Sequence, residues 1–156
     1  RELHLGIRRQ RQMCIRDRGR EGRTLRDKWQ EEGTKTFLGL HSKGFPNLFI
    51  VSGPQGGGGS FNFTNAIEEH GDYVVWMLDT LRKAGKDLVD VKAEHEDDYA
   101  EHCRAADELT RPLRDCITYY NGQGEAEPGS LAYYGGGAWH KYRIRAQESL
   151  DPYVFE

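Results

Sequence analysis

The sequence predicts an α/β fold, because an apolar run, a glycine loop and a long amphipathic stretch follow one another. The run "NLFIVS" occupies Asn47–Ser52 between Pro46 and Gly53, which is typical of a buried strand. Glycines fill Gly56–Gly59. From Asn62 onward, apolar residues recur at every third or fourth position, as they do on one face of a helix.

The composition is that of one domain with abundant loops. Of the 156 residues, 37% are hydrophobic and 30% are charged, and there are 19 glycines. The net charge of −3 argues against a nucleic-acid partner. Three cysteines without a CxxC pair predict reduced thiols and a cytoplasmic protein. No stretch is long enough for a membrane span or resembles a secretory signal peptide, so no membrane partner is expected.

The N-terminal residues differ in charge from the rest. Residues 1–30 contain ten Lys/Arg and four Asp/Glu, whereas the remainder contains twelve and twenty-one. The string "RRQRQMCIRDR", Arg8–Arg18, is either a basic arm for nucleic acid or the translated remnant of a sequencing adapter, which it resembles nearly letter for letter. We favour the remnant. Residues 1–18 are therefore expected to be a disordered tail or an isolated helix, and residues 19–156 to form the domain.

Two short elements are predicted between this tail and the glycine loop. Leu25 and Trp29 are one helical turn apart, so a short helix is expected near Thr24–Gln30. Thr24 is its expected cap, with Asp27 completing a variant of the capping box. Thr36–Gly39 is expected to be a short extended segment.

The long helix is predicted to run from Asn62 to about Lys83, with Gly85 just past its end. Its inward stripe is expected to comprise Phe63, Ala66, Ile67, His70, Val74, Met77, Leu78 and Leu81.

Shorter elements are predicted after the long helix. Val89–Val91 is expected to be a strand and Glu94 to about Thr110 a second helix, with Tyr99 and Cys103 on its inner face. From Leu113 the chain is expected to be irregular, with short strands at Ile117–Tyr120 and Leu131–Tyr134.

The glycine loop has two possible roles. The first turn of a helix presents unpaired N–H groups at the positive end of the macrodipole, and glycines let an electron-rich ligand approach it. The spacing is neither that of a Walker loop nor that of GxGxxG. On the pattern alone, a plain flexible connector is an equal alternative.

Three motifs carry a resemblance to a known family. The segments "KGFPNLFIVSGP", "AIEEH" and "WHKYR" together resemble the C-terminal part of Baeyer–Villiger monooxygenases, over about Gly19 to Glu156. The resemblance implies an incomplete domain, the C-terminal portion of a Rossmann-like FAD-binding domain. It also implies FAD and NADPH as cofactors, a small-molecule ketone and O2 as substrates, and oxygen insertion next to the carbonyl to give an ester or lactone.

The resemblance assigns positions to the site. It implies cofactor contacts from the loop and the helix start, and substrate contacts from the glycine run. The cofactor residues would be Gly53, Pro54, Asn62, Phe63, Thr64 and Tyr119, and the substrate residues Gly58, Gly59 and Ser60. Tyr119 and Tyr120 would lie near the nicotinamide, although packing in an aromatic core explains them equally well. No catalytic residue is assigned.

The family's phosphate-binding fingerprints are missing. No GxGxxG occurs in the sequence, so the chain is expected to need an N-terminal FAD- and NADP-binding portion as its partner. Alone it is expected to be inactive and to retain neither cofactor. The alternatives are a fragment of a flavin-dependent N- or S-monooxygenase and a non-catalytic binding or interaction domain.

Other residues suggest chemistry only weakly. His95, His102 and Cys103 share one predicted helix, but their spacing is not that of HExxH ligands, and a solvated acidic face is favoured over a metal site. Glu68 and His70 are a conceivable catalytic dyad, yet His70 belongs to the inward stripe. A hydrogen-bonded structural histidine is therefore expected there.

Overall fold

The structure is a computed structural model that describes residues 17–56, 62–109 and 138–156. After a 3₁₀ turn at Arg20–Gly22, the elements are α1 (Leu25–Glu32), α2 (Phe63–Ala84), β1 (Val89–Val91), α3 (Ala93–Leu109), α4 (Ala138–Ser149) and β2 (Tyr153–Phe155). Among the helices of these ranges, none combines the length and apolarity that a bilayer span requires.

Helix α1 confirms the predicted capping box. The Asp27 N–H donates to Thr24 Oγ1 at 3.1 Å, and the Thr24 N–H donates to the Asp27 carboxylate at 3.4 Å. Two orphan donors at the helix start are thereby satisfied. Leu25 and Lys28 are buried on the inner face. The Lys28 ammonium donates to both Glu96 carboxylate oxygens, at 2.7 and 2.6 Å, which ties α1 to α3.

Helix α2 has its predicted bounds but a rotated inner face. Asn62 caps its start, and Gly85, in the left-handed region, ends it. The buried residues are Ala66, His70, Tyr73, Met77 and Leu81. The assignment of Phe63, Ile67 and Leu78 to the inward stripe is wrong, because these side chains are exposed. Tyr73 takes the inward position instead, since its hydroxyl hydrogen-bonds both His41 and Tyr153.

The strands form a two-stranded antiparallel sheet. The predicted strand Val89–Val91 is confirmed, and it pairs with β2 so that Val89 faces Phe155 and Val91 faces Tyr153. The described residues thus combine helices with strands, as an α/β class requires. A Rossmann-like arrangement stays a prediction.

Helix α4 corrects the prediction of an irregular C-terminal segment. Its apolar positions Trp139, Tyr142 and Ala146 are three and four residues apart, which suits one helical face. Trp139 and Ala146 are buried. The strands predicted at Ile117–Tyr120 and Leu131–Tyr134 lie outside the described residues.

The predicted strand at Asn47–Ser52 is wrong. Asn47 and Ser52 have left-handed φ angles of 60° and 56°, which interrupt an extended chain. The segment is a series of turns instead: the Ile50 N–H donates to Leu40 O at 2.8 Å, and the Asn47 N–H to Val89 O at 3.0 Å.

The extended segment predicted at Thr36–Gly39 is also wrong after Phe37. Leu38 and Gly39 have φ angles of 59° and 68°, so the chain reverses there. The His41 N–H closes the turn by donating to Phe37 O at 3.0 Å. We call Phe37–His41 the core turn, because all but its glycine are buried hydrophobic or histidine side chains.

The hydrophobic core lies between the core turn, α2, α3, α4 and the sheet. It comprises Phe37, Leu38, Leu40, Tyr73, Met77, Leu81, Val89, Val91, Tyr99, Cys103, Trp139, Ala146 and Tyr153. The first described residues are bonded to the segment around α1: the Leu25 N–H donates to Asp17 O at 3.4 Å, and the Arg18 side chain donates to Gly22 O at 2.8 Å. The predicted tail otherwise falls on residues 1–16, which are not described, and it stays a prediction.

Candidate functional site

The loop that leads to α2 is packed directly against the core turn. A Cβ on Gly39 would lie 2.0 Å from Gly56 Cα, and one on Gly53 would lie 2.5 Å from Gly39 O. No side chain fits at such separations. These glycines therefore let two backbones touch, and Gly53–Gly56 is a positioned segment rather than a loose connector.

Gln55 anchors this loop from inside. Its side chain is buried, and its backbone has a φ of 63°. The side-chain oxygen accepts from the Thr36 N–H at 3.0 Å and from the Thr36 hydroxyl at 2.9 Å, while Nε2 donates to Thr34 O at 3.1 Å. The Tyr99 hydroxyl donates to Gln55 O at 2.7 Å. Side chain and backbone of one residue thus tie the loop to α3 and to the segment before the core turn.

His70 joins α2 to the same loop. The Ser52 N–H donates to His70 Nδ1 at 3.1 Å, and His70 Nε2 lies 3.1 Å from Gly56 O. Because Gly56 O can only accept, Nε2 carries a proton. Because Nδ1 accepts from the Ser52 N–H, it carries none, and the imidazole is neutral. Burial lowers the pKa of His70, which favours this form. The prediction of a structural, hydrogen-bonded histidine is confirmed.

Helix α4 packs against the core turn and α2, beside the loop's anchor His70. The Trp139 indole donates to Leu38 O at 2.8 Å, and its ring centroid lies 5.1 Å from that of His70. The Arg143 guanidinium stacks over Trp139, 5.3 Å from the ring centroid, and pairs with Glu69 at 3.0 Å. Sequence reasoning did not assign these roles. The spacing of Trp139 and Arg143, one helical turn, was the available indication.

The start of α2 is accessible and lacks negative charge. Asn62 Oδ1 accepts from the Thr64 N–H at 2.8 Å, and the Ala66 N–H donates to Asn62 O at 3.1 Å, which begins the helical ladder. Phe63 and Thr64 are exposed. The first turn contains no acidic residue, whereas Arg82 and Lys83 lie in the last. The first turn of α2 therefore places no negative side chain at the positive end of the macrodipole, which favours an anionic or electron-rich group there.

The expected site residues fall at both ends of one loop. Gly53 and Pro54 lie half-buried in its anchored part, and Asn62, Phe63 and Thr64 lie where the chain re-enters a helix. The Thr64 N–H is already taken by the cap. The remaining expected positions, Gly58, Gly59, Ser60, Tyr119 and Tyr120, lie outside the described residues.

The weaker candidates have structural partners. His95 lies 2.8 Å from an Asp151 carboxylate oxygen. Cys103 is buried, and burial raises the pKa of its thiol to about 12. Within residues 17–56, 62–109 and 138–156, no group of three or more His, Cys, Asp or Glu side chains is arranged to hold a metal ion.

Comparisons with known proteins identify similar chains. No family model matches. The chain is 36% identical to a Baeyer–Villiger monooxygenase of Streptomyces coelicolor, over 86% of this chain and 23% of that protein. An oxidized steroid monooxygenase bound to NADP superposes with a TM-score of 0.73 at 29% identity, over 88% of this chain and 26% of its own.

A third protein is similar in fold alone. OTEMO in complex with FAD and NADP superposes with a TM-score of 0.71 at 22% identity, over 89% of this chain and 27% of its own. The resemblance seen in the sequence is thus confirmed over most of this chain. The chain itself spans between 21% and 23% of the length of two of the curated relatives that it matches.

Proposed function

We propose that this chain, which is related in sequence and fold to the Baeyer–Villiger monooxygenases, supplies the flavin-facing helix start of such an enzyme. The observation that carries the proposal is the anchored loop leading into α2, whose first turn is exposed and free of acidic residues. A helix start of this kind stabilises negative charge. The flavin ring system presents such charge at its pyrimidine edge when it is reduced.

The residues present fit a flavin at this position. Phe63 offers an exposed aromatic face, and Thr64 lies beside it at the open end of α2. Asn62 holds the first turn in place through its cap. We assign Asn62, Phe63 and Thr64 to the ring edge, and Gly53 and Pro54 to holding the loop. On the resemblance alone, Gly58, Gly59 and Ser60 belong beside the substrate and Tyr119 near the nicotinamide.

The proposed overall reaction is a Baeyer–Villiger oxidation. When bound, FAD and NADPH would supply its redox chemistry: a ketone, O2, NADPH and a proton give an ester or lactone, NADP⁺ and water. The residues described here make or break no bond. Their proposed work is to orient the ring edge and to stabilise charge with the dipole of α2. The loop, held by Gln55 and His70, keeps that dipole fixed, so no reorganisation is needed during turnover.

The proposal includes the rest of a monooxygenase as a partner. None of the 156 residues forms a GxGxxG fingerprint, and this chain alone is proposed neither to retain FAD nor to oxidise ketones. A Rossmann-like domain would then be completed by residues from that partner. The alternative is a flavin enzyme that oxidises N or S atoms, and a panel of ketones, amines and sulfides distinguishes it from a Baeyer–Villiger monooxygenase.

The test is a graft into a relative. The region of the Streptomyces coelicolor monooxygenase that matches this chain is replaced by the corresponding residues of this chain, and cyclic ketones, amines and sulfides are offered with NADPH. Asn62→Asp then places a carboxylate at the helix start while still capping it. Flavin reduction should slow by about tenfold or more, since the added charge opposes the charge on the flavin.

The control is Gln30→Glu, the same amide-to-carboxylate change on an exposed residue of α1. It should leave flavin reduction nearly unchanged. If both variants reduce flavin at the parent rate in a folded graft, α2 does not face the flavin. If the graft oxidises only amines or sulfides, the proposed reaction is wrong.

A further inference from the structure

Helix α2 carries a second apolar face that nothing in the described residues covers. Phe63, Ile67, Val75 and Leu78 are 62%, 41%, 62% and 53% exposed. With Gly71 and the half-buried Val74, they lie within an arc of about 120° on a helix of 3.6 residues per turn. We call these six residues the outer stripe. A contiguous apolar face of this kind marks an interaction surface.

Gly71 lies at the middle of the outer stripe. Among ordinary residues, only proline disfavours a helix interior more than glycine, so a glycine there needs a reason. The described fold supplies none, because a Cβ added to Gly71 would meet no atom within 4 Å. This differs from Gly39 and Gly56, whose Cβ positions are blocked. A bare backbone on an apolar helix face is the surface on which a second element packs closely.

We infer that the outer stripe is the docking surface for the remainder of the monooxygenase polypeptide, with Gly71 at the point of closest approach. The inference rests on the proposed function and adds to it the surface through which the chain joins its partner. The relatives are four to five times longer than the matched region, which is 23% of one and 21% of another. Most of such an enzyme therefore lies outside this chain.

The position of the stripe favours this occupant. It begins at Phe63, in the first turn of α2, where the proposed flavin edge lies. Whatever brings the flavin to the helix start must approach along the same end of α2. An apolar surface of the FAD-binding portion, closing over Phe63 and Ile67, would shield the ring edge from water at the same time. A second copy of this chain would bring no flavin with it.

The test is that one substitution changes the thermal midpoint in opposite directions in the isolated chain and in the graft. In the chain alone, Gly71→Leu should raise the thermal midpoint by about 2–4 °C, because leucine favours helix and its side chain meets open space. In the Streptomyces coelicolor graft, the same change should lower the midpoint by about 5 °C or more, since the side chain enters a packed seam. Asp72→Leu, on the polar side of α2, is the matched control and should not lower the midpoint in either setting.

Three outcomes overturn the inference. One is a folded graft in which Gly71→Leu and Asp72→Leu behave alike. The second is dimerisation of the chain alone in sedimentation velocity that Gly71→Leu abolishes, which would assign the stripe to a second copy. The third is a destabilised Gly71→Leu chain. Exchanging only Phe63–Ala84 into the relative, with Gly71→Ala as a smaller probe, keeps the test available if the larger graft does not fold.

The failures of the two proposals are distinguishable. A graft whose midpoint responds to Gly71→Leu but which oxidises no ketone retains the docking surface and loses the proposed reaction. A graft that oxidises ketones and is indifferent to Gly71→Leu retains the reaction and loses the docking surface.

Discussion

The two faces of α2 differ in how much of their apolar surface the described residues cover. The inner face buries Ala66, His70, Tyr73, Met77 and Leu81, and its polar atoms have partners on the loop, the core turn and β2. The outer stripe is also apolar, but most of its side chains are exposed. It contains Gly71, where an added Cβ would meet no atom within 4 Å. The buried residues of a helix thus identify its partners within the described fold, whereas a contiguous exposed apolar stripe indicates a partner outside it.

The largest effect is expected where the loop touches the core turn. Gly39→Ala should cost about 3–5 kcal/mol of unfolding free energy, because its Cβ would lie 2.0 Å from Gly56 Cα and its φ is already left-handed. Gly44→Ala is the control: its φ is also left-handed, but its Cβ meets nothing, so about 1–2 kcal/mol is expected. Urea unfolding followed by tryptophan fluorescence measures both. Equal losses would mean that the loop is not held by this contact.

Met77 and Leu78 are adjacent in sequence but lie on opposite faces of α2. Met77→Ala, on the buried face, should lower the unfolding free energy by about 2–5 kcal/mol through the cavity it leaves. Leu78→Ala, on the outer stripe, should change it by no more than about 0.5 kcal/mol in the chain alone. Thermal or urea unfolding separates the two. A costly Leu78→Ala would show that the stripe is already packed.

Acid should lower the unfolding free energy by protonating His41, which contacts Tyr73 on the inner face of α2. Burial lowers the pKa of this imidazole from 6.5 to about 3, and its Nε2 lies 3.0 Å from the Tyr73 hydroxyl. As pH falls, His41 is therefore protonated in the unfolded chain before it is protonated in the folded one, which favours unfolding. The contribution of neutral His41 to the unfolding free energy is complete above about pH 6.5 and declines as pH falls toward 3. Between pH 7 and pH 5 the loss from His41 should be about 2 kcal/mol.

A variant isolates this contribution. His41→Asn removes the titrating group, so its unfolding free energy should fall less steeply over the same pH interval, although it starts from a lower value. Burial also lowers the pKa of His70, so a smaller decline in the same direction should persist. An unchanged slope in His41→Asn would assign the acid sensitivity to other groups.

The smallest effect is expected at the N-terminus. Deleting residues 1–16 should leave the thermal midpoint within error, because "RRQRQMCIRDR" resembles an adapter remnant rather than a sequence selected for this fold. The deletion spares Asp17 and Arg18, which bond to Leu25 and Gly22. A fall of several degrees would make the tail part of the domain.

Local chemistry made the helix ends predictable. The capping pair of Thr24 and Asp27, the start of α2 at Asn62 and its end at Gly85 each depend on residues a few positions away, so the sequence contains the whole interaction. The inward direction of His70 followed from periodicity in the same way.

Other features depend on contacts between residues far apart in sequence, which local patterns do not predict. The apolar run at Asn47–Ser52 is not a strand because Asn47 and Ser52 are left-handed. Its N–H groups bond four separate places, Val89, Phe45, Leu40 and His70, rather than one neighbouring strand, which no local pattern reveals. Trp139 reaches Leu38 O across a sequence separation of 101 residues. The loop anchors likewise depend on Gln55, a polar residue without periodicity, whose burial follows only from its meeting Thr36 and Tyr99.

Flavin content tests whether α2 presents its start to a flavin held by the rest of a monooxygenase. The measurement is the absorbance near about 450 nm, where flavins absorb, of the purified Streptomyces coelicolor graft and of this chain alone. We expect a yellow graft with about one flavin per chain and a colourless isolated chain. A folded graft without flavin, or an isolated chain that purifies with stoichiometric flavin, would contradict this expectation.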